Sequence, residues 1–155
     1  MKGLSNYYVQ NLVSNYNINK FRGVFSADNF PLGGTGKFII NTHPSTKKGE
    51  HFIVLVREKR KFIFFDPLGL TLDSYPYVKK RIEQSKHPKK YHLYLKGPVQ
   101  SPLSSFCGFF CVLFLLIYDL KSSQKLKSLI PFDKNNLLLN DEICISNLEI
   151  LTKMK

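Results

Sequence analysis

Two short apolar runs and one longer one are the clearest pattern along the chain. Apolar residues dominate 51–57 and 61–65, both rich in β-branched and aromatic residues and separated by a short polar turn. Runs this apolar predict strands buried on both faces, at the centre of a sheet covered by helices. The stretch 106–118 is too short for the roughly 20 residues of a membrane span and ends at charged residues. It predicts a buried central helix, and we expect no membrane partner.

Weaker patterns complete the expected order of elements. Helical spacing of apolar residues and caps, strand-like alternation and turn residues each mark a segment. They predict a short amphipathic helix over 4–15, turns over 24–36, a strand over 37–41, a charged helix over 74–86, a strand over 91–95 and a last helix over 143–154. At 155 residues the chain is large enough to bury a core without disulfides, so we expect a single domain over 1–155.

Charge and composition narrow the classes of partner. The chain is 43% hydrophobic and 14% aromatic, which favours a packed globule, while its formal net charge is +12. Basic clusters occur at 57–61, 79–81 and 86–90. They are either a solvated face or a surface for a polyanion such as DNA, and composition leaves both open. The three cysteines form neither a CxxC pair nor a closed ligand set, so we predict no disulfide framework and no metal.

Four polar residues stand where a cysteine nucleophile would need them. Cys107 opens the apolar run of the central helix, where the helix dipole and free N–H groups stabilise a thiolate and an oxyanion. His51 heads the first apolar strand, Asp66 ends the second, and Gln100 lies seven positions before the cysteine. Taken singly, they are also readily explained as a core cysteine, a surface histidine, a turn aspartate and a loop glutamine. Their order predicts a Cys-His-Asp centre with Gln100 as an oxyanion donor.

Several short motifs around these residues resemble those of the adenain family, the adenovirus maturation cysteine proteases. The matches are GVFSADNFP, IINT, GEHFIVLV, DPLG, VQ and CGFFC, spread over residues 20–118 in the family's order. The spacing from the oxyanion glutamine to the nucleophile is also the same. The resemblance implies an α+β cysteine-protease fold, with a central mixed or antiparallel sheet packed against the helix that carries Cys107.

The resemblance also implies a function. It implies an endopeptidase that processes viral capsid and core precursor polypeptides, for a DNA virus or a virus-like transposable element, in the virion and the host nucleus or a cytoplasmic assembly site. Family members use DNA as a cofactor, bound independently of sequence, and a capsid-derived activating peptide. No cysteine stands in 89–96, where the family forms a disulfide to that peptide, so any capture of a peptide here is expected to be noncovalent.

Further differences from the adenain family leave two other classes of protein possible. Asp66 replaces the family's usual glutamate, Phe52 its usual tryptophan, and the C-terminal region is shorter. A ubiquitin-like-protein protease shares the order His, Asp, Gln, Cys-Gly. A non-enzymatic, basic DNA-binding virion protein, in which Cys107 is a core residue, would explain the charge but not the ordered residues.

Overall fold

A single mixed sheet organises the chain. In the computed structural model, which describes residues 5–47, 51–85, 91–93, 97–120 and 127–153, this sheet has five strands. They are β1 (Phe21–Phe25), β2 (Gly36–Asn41), β3 (Phe52–Arg57), β4 (Phe62–Phe65) and β5 (Tyr91–Leu93), in that spatial order. The central three are antiparallel, while β1 and β5 pair in parallel with their neighbours. The predicted α+β class is confirmed.

The central strands lie where the apolar runs predicted them. Every residue of β2 and β3 is buried, as is β4 except for Ile63. Strand β1 is not predicted from the sequence, and its last two residues, Val24 and Phe25, fall in the segment predicted as turns. It is a half-exposed edge strand with Arg22 outward and Gly23 at a φ of +136°, where the register with β2 shifts. An edge strand of this kind carries neither an apolar run nor a regular alternation.

Helices and apolar side chains cover both faces of the sheet. The helices are α1 (Asn6–Ser14), α2 (Pro76–Glu83), α3 (Cys107–Leu120) and α4 (Leu139–Lys153), with a 3-10 turn at Leu72–Ser74 before α2. One face packs α3 against β3, with α1 and α4 around α3, and the other face holds a second core that includes residues of α2. Helix α4 begins four residues earlier than predicted, and part of the predicted strand 91–95 lies outside the described residues.

The longest apolar run of the sequence forms α3, the predicted central helix. Helix α3 starts at Cys107 and its middle, from Phe110 to Leu115, is buried in the core. In the described part of the chain, no helix is long and apolar enough to cross a membrane.

Candidate active site

His51 and Asp66 lie next to each other at one end of strands β3 and β4. His51 directly precedes β3 and Asp66 directly follows β4, and these strands are antiparallel neighbours, so the two residues lie at the same end. His51 Nε2 lies 2.6 Å from Asp66 Oδ1, and the Asp66 side chain is 1% exposed. The local fold therefore joins the two groups that the sequence order singled out.

The buried carboxylate of Asp66 is fully hydrogen-bonded. The backbone N–H groups of Leu68 and Leu70 donate to it at 3.0 and 3.2 Å, and the Tyr75 hydroxyl donates to Oδ2 at 2.5 Å. A buried charge is tolerated only when such donors replace its water. The turn that the DPLG motif forms thus holds the Asp66 side chain in a fixed orientation.

Tyr75 is a site residue that the sequence did not reveal. Its ring stacks on the His51 imidazole, with centroids 5.8 Å apart and planes 26° apart. Burial, together with the bond to Asp66, raises the pKa of Tyr75, so its phenol stays protonated as a donor. Residue 75 lay inside a predicted helix, and nothing in the local pattern distinguished it.

Cys107 occupies the first position of α3 and contacts His51. Burial by itself lowers the pKa of His51, but hydrogen bonds to Asp66 and Cys107, with the charges of both, raise it to about 9. His51 is therefore an imidazolium at neutral pH. Because Nε2 faces Asp66, Nδ1 is the nitrogen available to the Cys107 thiol.

Gln100 is buried in the loop 97–106, which precedes α3 and contacts the DPLG turn. Its Nε2 donates to the Ser104 carbonyl at 3.0 Å and approaches Ser104 Oγ at 3.4 Å, while its Oε1 is buried without a hydrogen-bond partner among the described residues. The N–H groups of Val99 and Gln100 both donate to the Pro67 carbonyl at 2.9 Å. At Gly69, a Cβ would lie 2.4 Å from the backbone of Gly97. Glycine is required there for the loop and the turn to approach this closely.

A cleft opens beside His51. It has a volume of about 310 Å³. Its lining includes Thr42, His43, His51, Leu68, Leu70, Ser74, Tyr75 and Tyr77. A larger cavity of about 760 Å³ lies around Lys37 and Asp119 and includes none of the four predicted site residues. The smaller cleft thus opens onto the site at His51, and its lining includes none of Asp66, Gln100 and Cys107.

The other two cysteines are core residues. Cys111 Sγ lies 3.4 Å from the Phe52 carbonyl, and both Cys111 and Cys144 are fully buried. Burial raises the pKa of each thiol, which keeps it protonated and unreactive.

Two arginines of the predicted basic clusters donate hydrogen bonds to backbone carbonyls. Arg57 is buried and donates to the carbonyl of Pro31 at 2.9 Å, and Arg81 donates to the carbonyl of Phe30 at 2.7 Å. Their guanidinium groups therefore bind carbonyls of the 30–34 loop, and of the two only Arg57 is withdrawn from the surface. The cluster 86–90 lies outside the described residues.

A helix-borne cysteine facing an imidazole that a buried carboxylate orients is the arrangement of cysteine peptidases. In agreement with this class, a family model described as adenovirus endoprotease matches residues 16–153. The chain belongs to the adenovirus endoprotease family, as its motifs predicted.

The other comparisons add little. No curated protein matches the chain. A solved structure of ChlaDub1 from Chlamydia trachomatis is 19% identical, over 64% of this chain and 47% of that chain, with a TM-score of 0.35. The chain thus spans about half the length of that protein, and a similarity this low does not bear on its activity.

Proposed function

We propose that this protein is a cysteine endopeptidase that processes viral capsid and core precursor polypeptides during virion maturation, with Cys107 as nucleophile. The observation that carries the proposal is the largely buried His51 imidazole, which is hydrogen-bonded to Asp66 and whose pKa is raised by Asp66 and Cys107 together. The family match supports the peptidase class. The viral precursors are the substrates that the family resemblance implies.

The proposed reaction is a covalent acyl transfer. The Cys107 thiolate attacks the scissile carbonyl carbon, and the C–N bond breaks as His51 gives its proton to the leaving amine. Water then attacks the thioester, His51 takes a proton from it, and the Cys107 thiolate leaves with release of the acid. Asp66 and Tyr75 keep the imidazole oriented through both steps.

We assign two hydrogen-bond donors to the oxyanion. The first intrahelical bond around the start of α3 runs from the Phe110 N–H to the Phe106 carbonyl, so the Cys107 N–H belongs to the first-turn donors that lack an intrahelical acceptor. Gln100 Nε2 has one N–H committed to the Ser104 carbonyl, and its 3.4 Å contact to Ser104 Oγ is weak. We assign its second N–H to the oxyanion.

A fluorogenic assay tests the proposal. Peptides with Gly-Gly or Gly-X-Gly sites are compared with a ubiquitin-like probe, using wild type, Cys107→Ala and His51→Ala. Both variants should lose cleavage while remaining folded, whereas His92→Ala, at an exposed histidine of β5, should cleave normally. Wild-type-like turnover by Cys107→Ala would refute the assignment of Cys107 as the nucleophile.

The same assay separates the alternatives. Cleavage of the ubiquitin-like probe alone would favour a ubiquitin-like-protein protease. Cleavage of neither substrate, with strong DNA binding, would favour a non-enzymatic virion protein. Iodoacetamide should label Cys107 before Cys144, since Cys144 is fully buried and its pKa is raised.

We further propose that DNA binds the protein as a sequence-independent cofactor. The net charge of +12 supports this, and Lys59, Arg60 and Lys61 are exposed at the turn between β3 and β4. Affinity for short duplexes should fall steeply with salt and depend little on sequence. Binding that is constant between low and moderate salt would contradict the proposal. A virion and host-nuclear location, or a cytoplasmic assembly site, follows from the same family argument.

An activating peptide, if used, is proposed to bind noncovalently. Cys111 and Cys144 are fully buried and Cys107 is the proposed nucleophile, so no cysteine is left for a mixed disulfide with the peptide. Strand β5 is the terminal strand of the described sheet beyond β4, where a peptide could add as a further strand. Reducing agent should leave activation by co-expressed capsid fragments intact. A mixed disulfide whose reduction removes activity would show that the peptide binds covalently.

A further inference from the structure

The start of α4 is attached to the loop that carries Gln100 at two points. Asn140 Nδ2 donates to the Val99 carbonyl at 2.8 Å, and the Ser104 hydroxyl donates to Asp141 Oδ1 at 2.7 Å. Gln100 lies between these two attachments along the chain. Two successive residues of one helix therefore hold both sides of the loop.

The carboxylate of Asp141 fixes the direction of the Ser104 hydroxyl. An ionised carboxylate only accepts hydrogen bonds, and a serine has a single hydroxyl proton. Because the Ser104 hydroxyl donates that proton to Asp141, Ser104 Oγ can only accept from its other neighbours. These are Gln100 Nε2 at 3.4 Å and the Phe106 N–H at 3.1 Å. The Ser104 carbonyl is also an acceptor for Nε2. Gln100 thus meets only acceptors on this side, which selects the orientation with its NH₂ group toward Ser104.

We infer that Asp141 is a positioning residue, which acts through Ser104 to fix the orientation of the Gln100 carboxamide. The catalytic consequence rests on the proposed function, in which Gln100 Nε2 donates to the oxyanion. A carboxamide turned over would present Oε1, whose partial negative charge repels an oxyanion. Among the described residues the buried Oε1 has no hydrogen-bond partner that would favour its present position, so the orientation depends on the acceptors at Ser104.

Kinetics of two variants at position 141 test the inference. Asp141→Ala should lower kcat about tenfold with little change in KM, less than the roughly 100- to 1000-fold effect of removing an oxyanion donor outright. Asp141→Asn keeps an acceptor oxygen and should recover most of the rate. Glu142→Ala removes the same charge from the same turn of α4 at an exposed residue, and should leave kcat unchanged.

Alkylation distinguishes positioning from a general loosening of the site. Iodoacetamide reacts with the Cys107 thiolate without forming an oxyanion, so its rate should be the same in wild type and Asp141→Ala. A merely structural role for Asp141 would slow alkylation and hydrolysis together, and that result would overturn the inference. Ser104→Ala removes the same hydrogen bond by deleting its donor, and should likewise lower kcat while leaving the alkylation rate unchanged. This variant keeps the test available if Asp141→Ala does not fold.

A measurement without turnover separates this inference from the proposed function. The side-chain NH₂ protons of Gln100, followed by NMR in ¹⁵N-labelled protein, should exchange slowly in wild type and at least severalfold faster in Asp141→Ala and Ser104→Ala. If wild type cleaves no peptide but the two variants still exchange these protons faster than wild type, the positioning role is upheld and the peptidase is refuted. Equal exchange in wild type and both variants would refute the positioning role, whatever the activity.

Discussion

The raised pKa of His51 predicts that the folded protein loses stability as the pH rises from neutral to alkaline. In the folded chain this pKa is about 9, against an ordinary value of 6.5. Each pH unit of difference is worth about 1.4 kcal/mol, so the protonated imidazole stabilises the fold by roughly 3 kcal/mol. Because the folded pKa is the higher one, the contribution is complete below pH 6.5, decreases above it, and is lost once the pH passes about 9.

Urea unfolding of wild type and His51→Gln across this range measures the effect. The lysines and tyrosines titrate in both proteins, so the difference between the two free energies of unfolding isolates His51. The advantage of wild type should shrink by roughly 3 kcal/mol between about pH 6 and about pH 10. Peptide cleavage should fall over the same alkaline range, because the imidazolium that protonates the leaving amine is lost.

NMR titration of the imidazole provides the control. Asp66→Asn removes the carboxylate charge, so the pKa of His51 should fall below the wild-type value of about 9. An imidazole that titrates near 6.5 in wild type, or a stability difference that does not change with pH, would refute the account of an imidazolium held between Asp66 and Cys107.

Substitutions at three further positions test interactions that stabilise the fold. Tyr75→Phe keeps the ring but removes the hydroxyl bonded to Asp66, and should cost about 1.5–3 kcal/mol in urea unfolding; a loss within error would show that this hydrogen bond is unimportant. Phe114→Ala removes a buried ring stacked on Phe65 with centroids 4.4 Å apart, and should cost about 3–5 kcal/mol, with Phe114→Leu milder; equal costs would argue against a cavity effect. Lys37→Met leaves a half-buried carboxylate without its ammonium partner and should destabilise the fold by roughly 3 kcal/mol; an unchanged melting temperature would show the pair to be neutral.

The central strands and the central helix could be predicted because burial on both faces leaves an unbroken apolar run. Strands β3 and β4 and helix α3 are of this kind, and their positions agree with the predictions. Strand β1 lies at the edge of the sheet with one side partly in water, so its residues follow no such pattern. Its pairing with β2 is a long-range contact that no local signal records.

The sequence by itself determined which reactive groups the site contains and the order of the elements that carry them. His51 and Asp66 flank two apolar strands joined by a short turn, and the antiparallel pairing of these strands brings the two residues to the same end. Tyr75, Ser104 and Asp141 were missed, since each acts through a contact between segments that are separate in sequence. Only the tertiary structure decided the protonation of His51, because a pKa depends on burial and on the distance to charged neighbours, and both are fixed only when the elements pack together.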